Sequence, residues 1–313
     1  MKASKTLCAL LLAVAAAFGS TALAGNEAAK KEVKGQGEVE PPVDEIVARA
    51  NHVAYYQGAD GRARVKMAIV DAQKRTRRRE MTILRWDVPK PKKSPESQPA
   101  KKSQKGDEAE EPAGQRAKKD TNFAGEQKFY VYFHEPADVN RMAFLVHKHL
   151  DKDDDRWLYL PKLDLVKRIA GSEKRTSFVG SDFFYEDISG RNTKDDKHEL
   201  AQTTSKYYVL KNTPRDLKKV EFAYYKTWIH RKTFMVIKSE YYDRNGKPYR
   251  QYQTRAVKQL QGYWTVTKAR MTDLHTGRYT DVEYAGVRYD TGLSEGIFTE
   301  RYLRRPPKEH LKN

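Results

Sequence analysis

The chain contains one cysteine, Cys8, and it lies inside an N-terminal apolar run. Everything after it is free of cysteine, which excludes a disulfide framework, a thiolate nucleophile and cysteine-bound metal there. Long apolar runs are missing too. Residues 7–19, "LCALLLAVAAAFG", fall short of the roughly 20 residues that cross a bilayer, and no later segment reaches that length. The sequence also lacks a G-x-S-x-G elbow, a P-loop and a dinucleotide fingerprint. Catalysis loses its usual signals, and binding becomes the leading class of function.

What is present begins with a leader. Lys2 and Lys5, the apolar run, and small residues at Ala22 and Ala24 before Gly25 have the three-part pattern of a secretory signal peptide. Residues 1–24 are expected to be removed and the mature chain exported, into a Gram-negative-type periplasm. Cys8 lies too early in the run for lipid attachment and leaves with the leader. Losing Lys2 and Lys5 takes the formal charge from +18 to +16. In an exported protein such an excess points to anionic membrane surfaces or acidic partners rather than to nucleic acid. Its densest cluster, "KRTRRRE" at 74–80, falls where a hairpin is expected to turn. It reads either as a charged end that discourages edge pairing or as a membrane or partner contact.

Residues 25–42 are polar and aperiodic, a flexible arm. Ile46, Val47, Ala50, Val53 and Ala54 then recur at helical spacing and predict one helix over 43–57, closed by Gly58 and Gly61. From Arg62 the period becomes two, and strands follow on both sides of a Pro-, Lys- and Glu-rich insertion at 89–122 whose composition predicts disorder. The expected strands are 127–134, 141–150, 156–160, 163–170, 206–211, 219–230, 233–242, 249–259, 263–274 and 279–289, with an irregular, partly helical stretch at 173–205 and a short closing helix in "SEGIFTERYLRR". Asn245-Gly246 is a strong hairpin signal. The fold class is therefore mainly β with a few helices: a large, curved antiparallel sheet of eleven or twelve strands. One face of it carries Met67, Ile69, Met81, Ile83, Phe129, Val131, Phe133, Met142, Phe144 and Val146. That face must be covered by its own curvature, by the helices, or by a bound apolar ligand.

One stretch is more specific. "RWLYLPKLDLVKRIAGSEKRTSFVGSDFFYED" resembles the signature of the outer-membrane lipoprotein-sorting family, relatives of the carrier LolA. The matching residues are Trp157, Tyr159, Leu160, Pro161, Lys167, Arg168, Ile169, Ser177, Phe178, Gly180, Ser181, Asp182, Tyr185, Glu186 and Asp187. "FHEPADVNRMAFL" also resembles the family, with Arg141 where glycine is common, as do "EYYDRNGKPYR" and the C-terminal "TGLSEGIFTERYLRR". The resemblance spans about 43–305 and leaves 306–313 as a tail. It implies one LolA/LolB-like domain, an unclosed β-barrel with a helical lid. The cargo it implies is lipid or lipoprotein acyl chains, moving from an RND- or MMPL-type inner-membrane exporter towards an outer-membrane acceptor. The ten inward residues are then expected to line the lipid cavity. The motif residues Trp157, Tyr159, Pro161, Arg168, Ser181, Asp182, Tyr185 and Asp187 are expected at its mouth, with Asp182 and Asp187 capping turns or pairing with Arg168. Helix 43–57 and segment 173–205 are the candidate lids.

Other chemistries are weaker. His134, His147 and His149 lie on neighbouring strands, yet no carboxylate stands at evident spacing for a metal site. "DKDDDR" lacks the glycine and length of an EF-hand. Glu186 and Asp187 are adjacent and in a strand face opposite ways, which does not suit paired-carboxylate catalysis. "FAYYKTWIHRK" interleaves aromatics with bases as single-strand binders do, but export argues against nucleic acid. No enzyme, cofactor or metal is expected, and the protein is expected to be a monomer. A lipid or lipoprotein sensor of the same fold is the alternative to a carrier.

Overall fold

The computed structural model describes residues 40–89 and 125–312. The expected leader, nearly all of the arm and nearly all of the insertion lie outside them. Helix α1 (Val43–Tyr55) follows Pro42, places Asp44 and Glu45 in its first turn and buries Ile46 and Ala50. The acids complement the positive end of the helix dipole. Strands β1 (Asp60–Val70), β2 (Thr76–Asp87), β3 (Gln127–Glu135), β4 (Ala143–Lys148), β5 (Asp155–Leu160) and β6 (Leu165–Arg168) come next. An irregular stretch holds the short helix α2 (Tyr185–Ser189). Strands β7 (Asp196–Thr203), β8 (Tyr207–Pro214), β9 (Tyr224–His230), β10 (Val236–Tyr242), β11 (Pro248–Leu260), β12 (Tyr263–Asp273) and β13 (Tyr279–Tyr289) complete the sheet, followed by α3 (Arg301–Arg304) and α4 (Lys308–Leu311).

All thirteen strands form one sheet in the order β6-β5-β4-β3-β2-β1-β13-β12-β11-β10-β9-β8-β7. Neighbours pair antiparallel throughout, and β1 against β13 joins the two ends of the chain. The edge strands β6 and β7 do not meet, so the barrel is unclosed. Aspartates end several strands in the same way. The Asp71, Asp243 and Asp273 carboxylates each accept two backbone N–H groups of the following turn, which replaces the ladder bonds lost where the chain reverses. Gly246, expected at a hairpin centre, sits at φ 75°, where a Cβ would be strained.

Two expectations change. The stretch 173–205 contains a strand, β7, which is polar and at the sheet edge, so it carries little apolar alternation to announce it. The basic cluster is mostly strand: the turn occupies 71–75 and Arg77, Arg78 and Arg79 already belong to β2. A second core, not assigned from the sequence, covers the outer face of β2–β5. There Leu84, Tyr130, Leu145 and Tyr159 pack under Leu293, Ile297, Phe298, Leu303 and Leu311 of the C-terminal segment. The Asp60 carboxylate holds that segment in place, accepting the backbone N–H groups of Thr291, Gly292 and Leu293 and the Thr291 hydroxyl at 2.6–3.0 Å.

Candidate functional site

The inner face of the sheet is divided in two, and the irregular stretch divides it. Ser181 donates to the Phe178 carbonyl at 2.7 Å and tightens a loop in which Val179 and Gly180 both have positive φ. This loop pushes Phe178 onto Phe133 and Phe144, with ring centroids 5.7 and 5.5 Å apart, and Tyr185 closes on both Phe144 and Phe178. Asp182 ties the loop to β13, accepting from Thr280 Oγ1 at 2.7 Å and from Arg278 at 2.8 Å. The β3–β5 half of the inner face is thereby filled by a plug of side chains from this stretch.

The other half stays open beneath α1. The helix packs Ile46 and Ala50 against Tyr208, Leu210, Ile229 and Phe234. Its C-terminal carbonyls are received on the opposite side by Arg85, which donates to Tyr55, Gln57 and Gly58, and by Gln127, which donates to Tyr55 at 2.8 Å. Cationic donors at a helix C-terminus satisfy groups that have no intrahelical partner. Between helix and sheet lies a cavity of about 440 Å³, within the roughly 300–1,000 Å³ of small-molecule sites. Val47, Val53 and Ala54 of α1 form its roof. Met67, Met81, Ile83, Phe129, Val266, Met271 and Val282 form an apolar wall, with Phe178, Phe183 and Ile188 at the plug.

A polar network stiffens the plug on its β8–β11 side. Glu186, 3% exposed, is bound by Arg175 at 2.6 Å, Arg191 at 3.3 Å and Lys174 at 3.5 Å. Burial alone would raise its carboxyl, but these three cations hold it below the usual carboxylate range. Arg175 continues to Glu221 and Arg191 to Asp196. Burial likewise opposes the ionised Glu221, yet the Arg175 bonds bring it down to about 2. Tyr225 donates to Asp196 at 2.8 Å. Buried charges are tolerated only when paired in this manner.

The expected site residues therefore separate. Met67, Met81, Ile83 and Phe129 line the cavity. Ile69, Val131, Phe133, Met142, Phe144 and Val146 do not; they are buried in the packed core under the plug. The motif does not form a single mouth either. Trp157 and Tyr159 face the outer core, Pro161 begins the turn after β5, and Arg168 pairs with Asp155. Ser181, Asp182, Tyr185 and Asp187 build the plug. Asp187 binds Arg250 and the Phe184 N–H, so neither aspartate reaches Arg168. His134, His147 and His149 are bound separately, by Thr82, by the Phe298 carbonyl and by Glu126 with Asp155. Among the described residues no group of three His, Cys, Asp or Glu side chains is placed to hold a metal. Sequence reasoning missed the roof side chain Tyr55 and the wall tyrosines Tyr241, Tyr252 and Tyr284. Tyr252 pairs across the ladder with Ser239 and Met271, and Tyr284 with Val65, a register that the sequence alone does not show.

Comparison with known proteins gives the same architecture. A model of a family described as uncharacterized proteins matches residues 125–305, while no curated protein matches the chain. A DUF1329 family protein from Desulfovibrio piger ATCC 29098 superposes with a TM-score of 0.66 at 24% identity, over 84% of this chain and 100% of that one. A domain described as an outer membrane lipoprotein-sorting protein, from Vibrio parahaemolyticus, gives 0.66 at 27% identity, over 84% and 98%. A LolA superfamily protein from Nitrosomonas europaea gives 0.57 at 19% identity, over 84% and 100%. The chain belongs to this DUF1329 family and shares the unclosed-barrel fold of these three structures.

Proposed function

We propose that the protein is a periplasmic carrier, not an enzyme, that shields a lipid or the acyl chains of a lipoprotein on their way towards the outer membrane. The observation that carries this reading is the apolar cavity between the sheet and α1, in a fold shared with a protein described as sorting outer membrane lipoproteins. Each CH₂ moved from water into such a wall contributes about 0.8 kcal/mol, so twelve of them give an upper bound near 10 kcal/mol. Release then requires the roof to move, and α1 is the element held by bonds at its C-terminal end and by side-chain packing along its length. An RND- or MMPL-type exporter in the inner membrane is the proposed donor and an outer-membrane site the acceptor.

The test is to purify the mature protein from periplasm without detergent and to weigh it by native mass spectrometry alongside lipid extraction. A stoichiometric lipid or acylated protein is expected. An empty protein that also takes up no added lipid would overturn the reading.

A further inference from the structure

The cavity is not uniformly apolar. Tyrosines Tyr55, Tyr241, Tyr252 and Tyr284 all line it, one from the roof and three from the sheet. The hydroxyls of Tyr55, Tyr241 and Tyr284 make no hydrogen bond to the protein among the described residues, and that of Tyr252 only receives one, from Thr254 at 3.4 Å. By contrast Tyr225, on the same wall, is committed to Asp196. The four side chains keep partial surface exposure because they face the interior of the cavity. Burial, followed by the charge of Asp187 and the other three tyrosines, holds the Tyr55 hydroxyl well above its ordinary range. Burial and Asp187 push Tyr241 up to about 12. Asp187 lines the same cavity as the four tyrosines, and burial keeps all four hydroxyls as protonated donors.

Asp187 is already neutralised. Its Oδ2 takes both Arg250 and the Phe184 N–H, leaving Oδ1 without a partner among the described residues. The cluster thus presents several O–H donors, their lone pairs and one carboxylate oxygen, with no net charge to balance an ion. A charged head group seated in the cluster would lose its hydration without gaining a counter-ion there, since the cationic lining residues Arg62 and Arg288 stand at the far end of the β1–β13 ladder, four residues along β13 from Tyr284. A hydroxyl-bearing, uncharged head group both donates to Asp187 and accepts from the tyrosines.

From this geometry we infer that the cargo is a neutral amphiphile whose hydroxylated head sits among Tyr55, Tyr241, Tyr252, Tyr284 and Asp187 while its chain lies along the Met67–Val282 wall. The inference rests on the carrier reading and narrows it to a class of lipid.

The experiment uses three probes with one palmitoyl chain each: monopalmitoylglycerol, methyl palmitate and palmitate. They are titrated into the full-length mature protein, the Tyr241→Phe and Tyr284→Phe variants and the double variant. Monopalmitoylglycerol is expected to bind tightest. Each phenylalanine should weaken it about fivefold and the pair about 25-fold, from the loss of one net hydrogen bond apiece, with methyl palmitate unaffected. Circular dichroism and thermal unfolding confirm that the variants fold. Equal binding of all three probes, or tighter binding of palmitate, would overturn the inference and leave the carrier reading standing. Failure of every probe to bind would remove both.

Discussion

Gly190 faces the ring of Tyr55 at the point where the plug meets the roof. A Cβ on Gly190 would lie 2.5 Å from Tyr55 Cζ, and its φ of 76° disfavours any other residue. The close approach brings the residue before Arg191 of the polar network under the last turn of α1, so plug and roof are registered at this contact.

Gly190→Ala is therefore expected to cost about 3 kcal/mol, part from the left-handed backbone and part from displacing the ring. Because Tyr55 ends α1, the loss should appear first in the roof. Hydrogen exchange should speed up in residues 43–55 more than in β3 or β4, and a fluorescent fatty acid should leave the cavity faster. Uniform acceleration across the sheet would mean that the contact does not belong to the roof.

Ile83 and Val131 are cross-strand partners on the same inner face, but only Ile83 borders the cavity, while Val131 is fully buried beneath the plug. Ile83→Asp should abolish retention of a lipid probe and leave a folded protein, since its carboxylate can reach cavity water. Val131→Asp puts a charge among Phe133, Phe144 and Phe178 and should destabilise by about 4 kcal/mol or more. Urea unfolding and probe retention measured on both variants separate the two effects. Identical behaviour would show that the division of the inner face is wrong.

This pair also shows how far the sequence can be read. Alternation assigned both residues to one face, because the side-chain period of a strand is two. It carries no information on which part of that face is sealed, since the seal comes from Phe178 and Tyr185, folded back from the irregular stretch. The outer core was hidden for a related reason. "FYVYF" in β3 is apolar on both faces, so alternation gives no second face to Tyr130, and Trp157 was expected at the cavity mouth; both lie in the core under the C-terminal segment. β7 escaped notice because a polar edge strand has no buried face to mark it. The motif residues were legible as a unit, yet their roles were not: Trp157 and Asp187 are close in sequence and serve opposite faces of the sheet. The tyrosine cluster is the extreme case, being assembled from α1 and three strands.

Lys148 lies beneath the same junction, 4% exposed, and donates to the carbonyls of Ser189 at 2.6 Å and Gly190 at 3.3 Å. Burial, only partly offset by Asp154, lowers its ammonium from the ordinary 10.5 to about 8. Between those two values the unfolded chain holds a proton that the folded protein has released. Stability contributed by this group must then rise with pH, by on the order of 3 kcal/mol across pH 8–10.5. Tyrosines with raised values act in the opposite direction above pH 10 and cancel in a difference. The measurement is accordingly the unfolding free energy of the native protein minus that of Lys148→Met, which has a similar shape and no charge. It should climb from pH 7.5 to 10.5. A flat difference would mean that water reaches Lys148 and that the plug opens more readily than its hydrogen bonds imply.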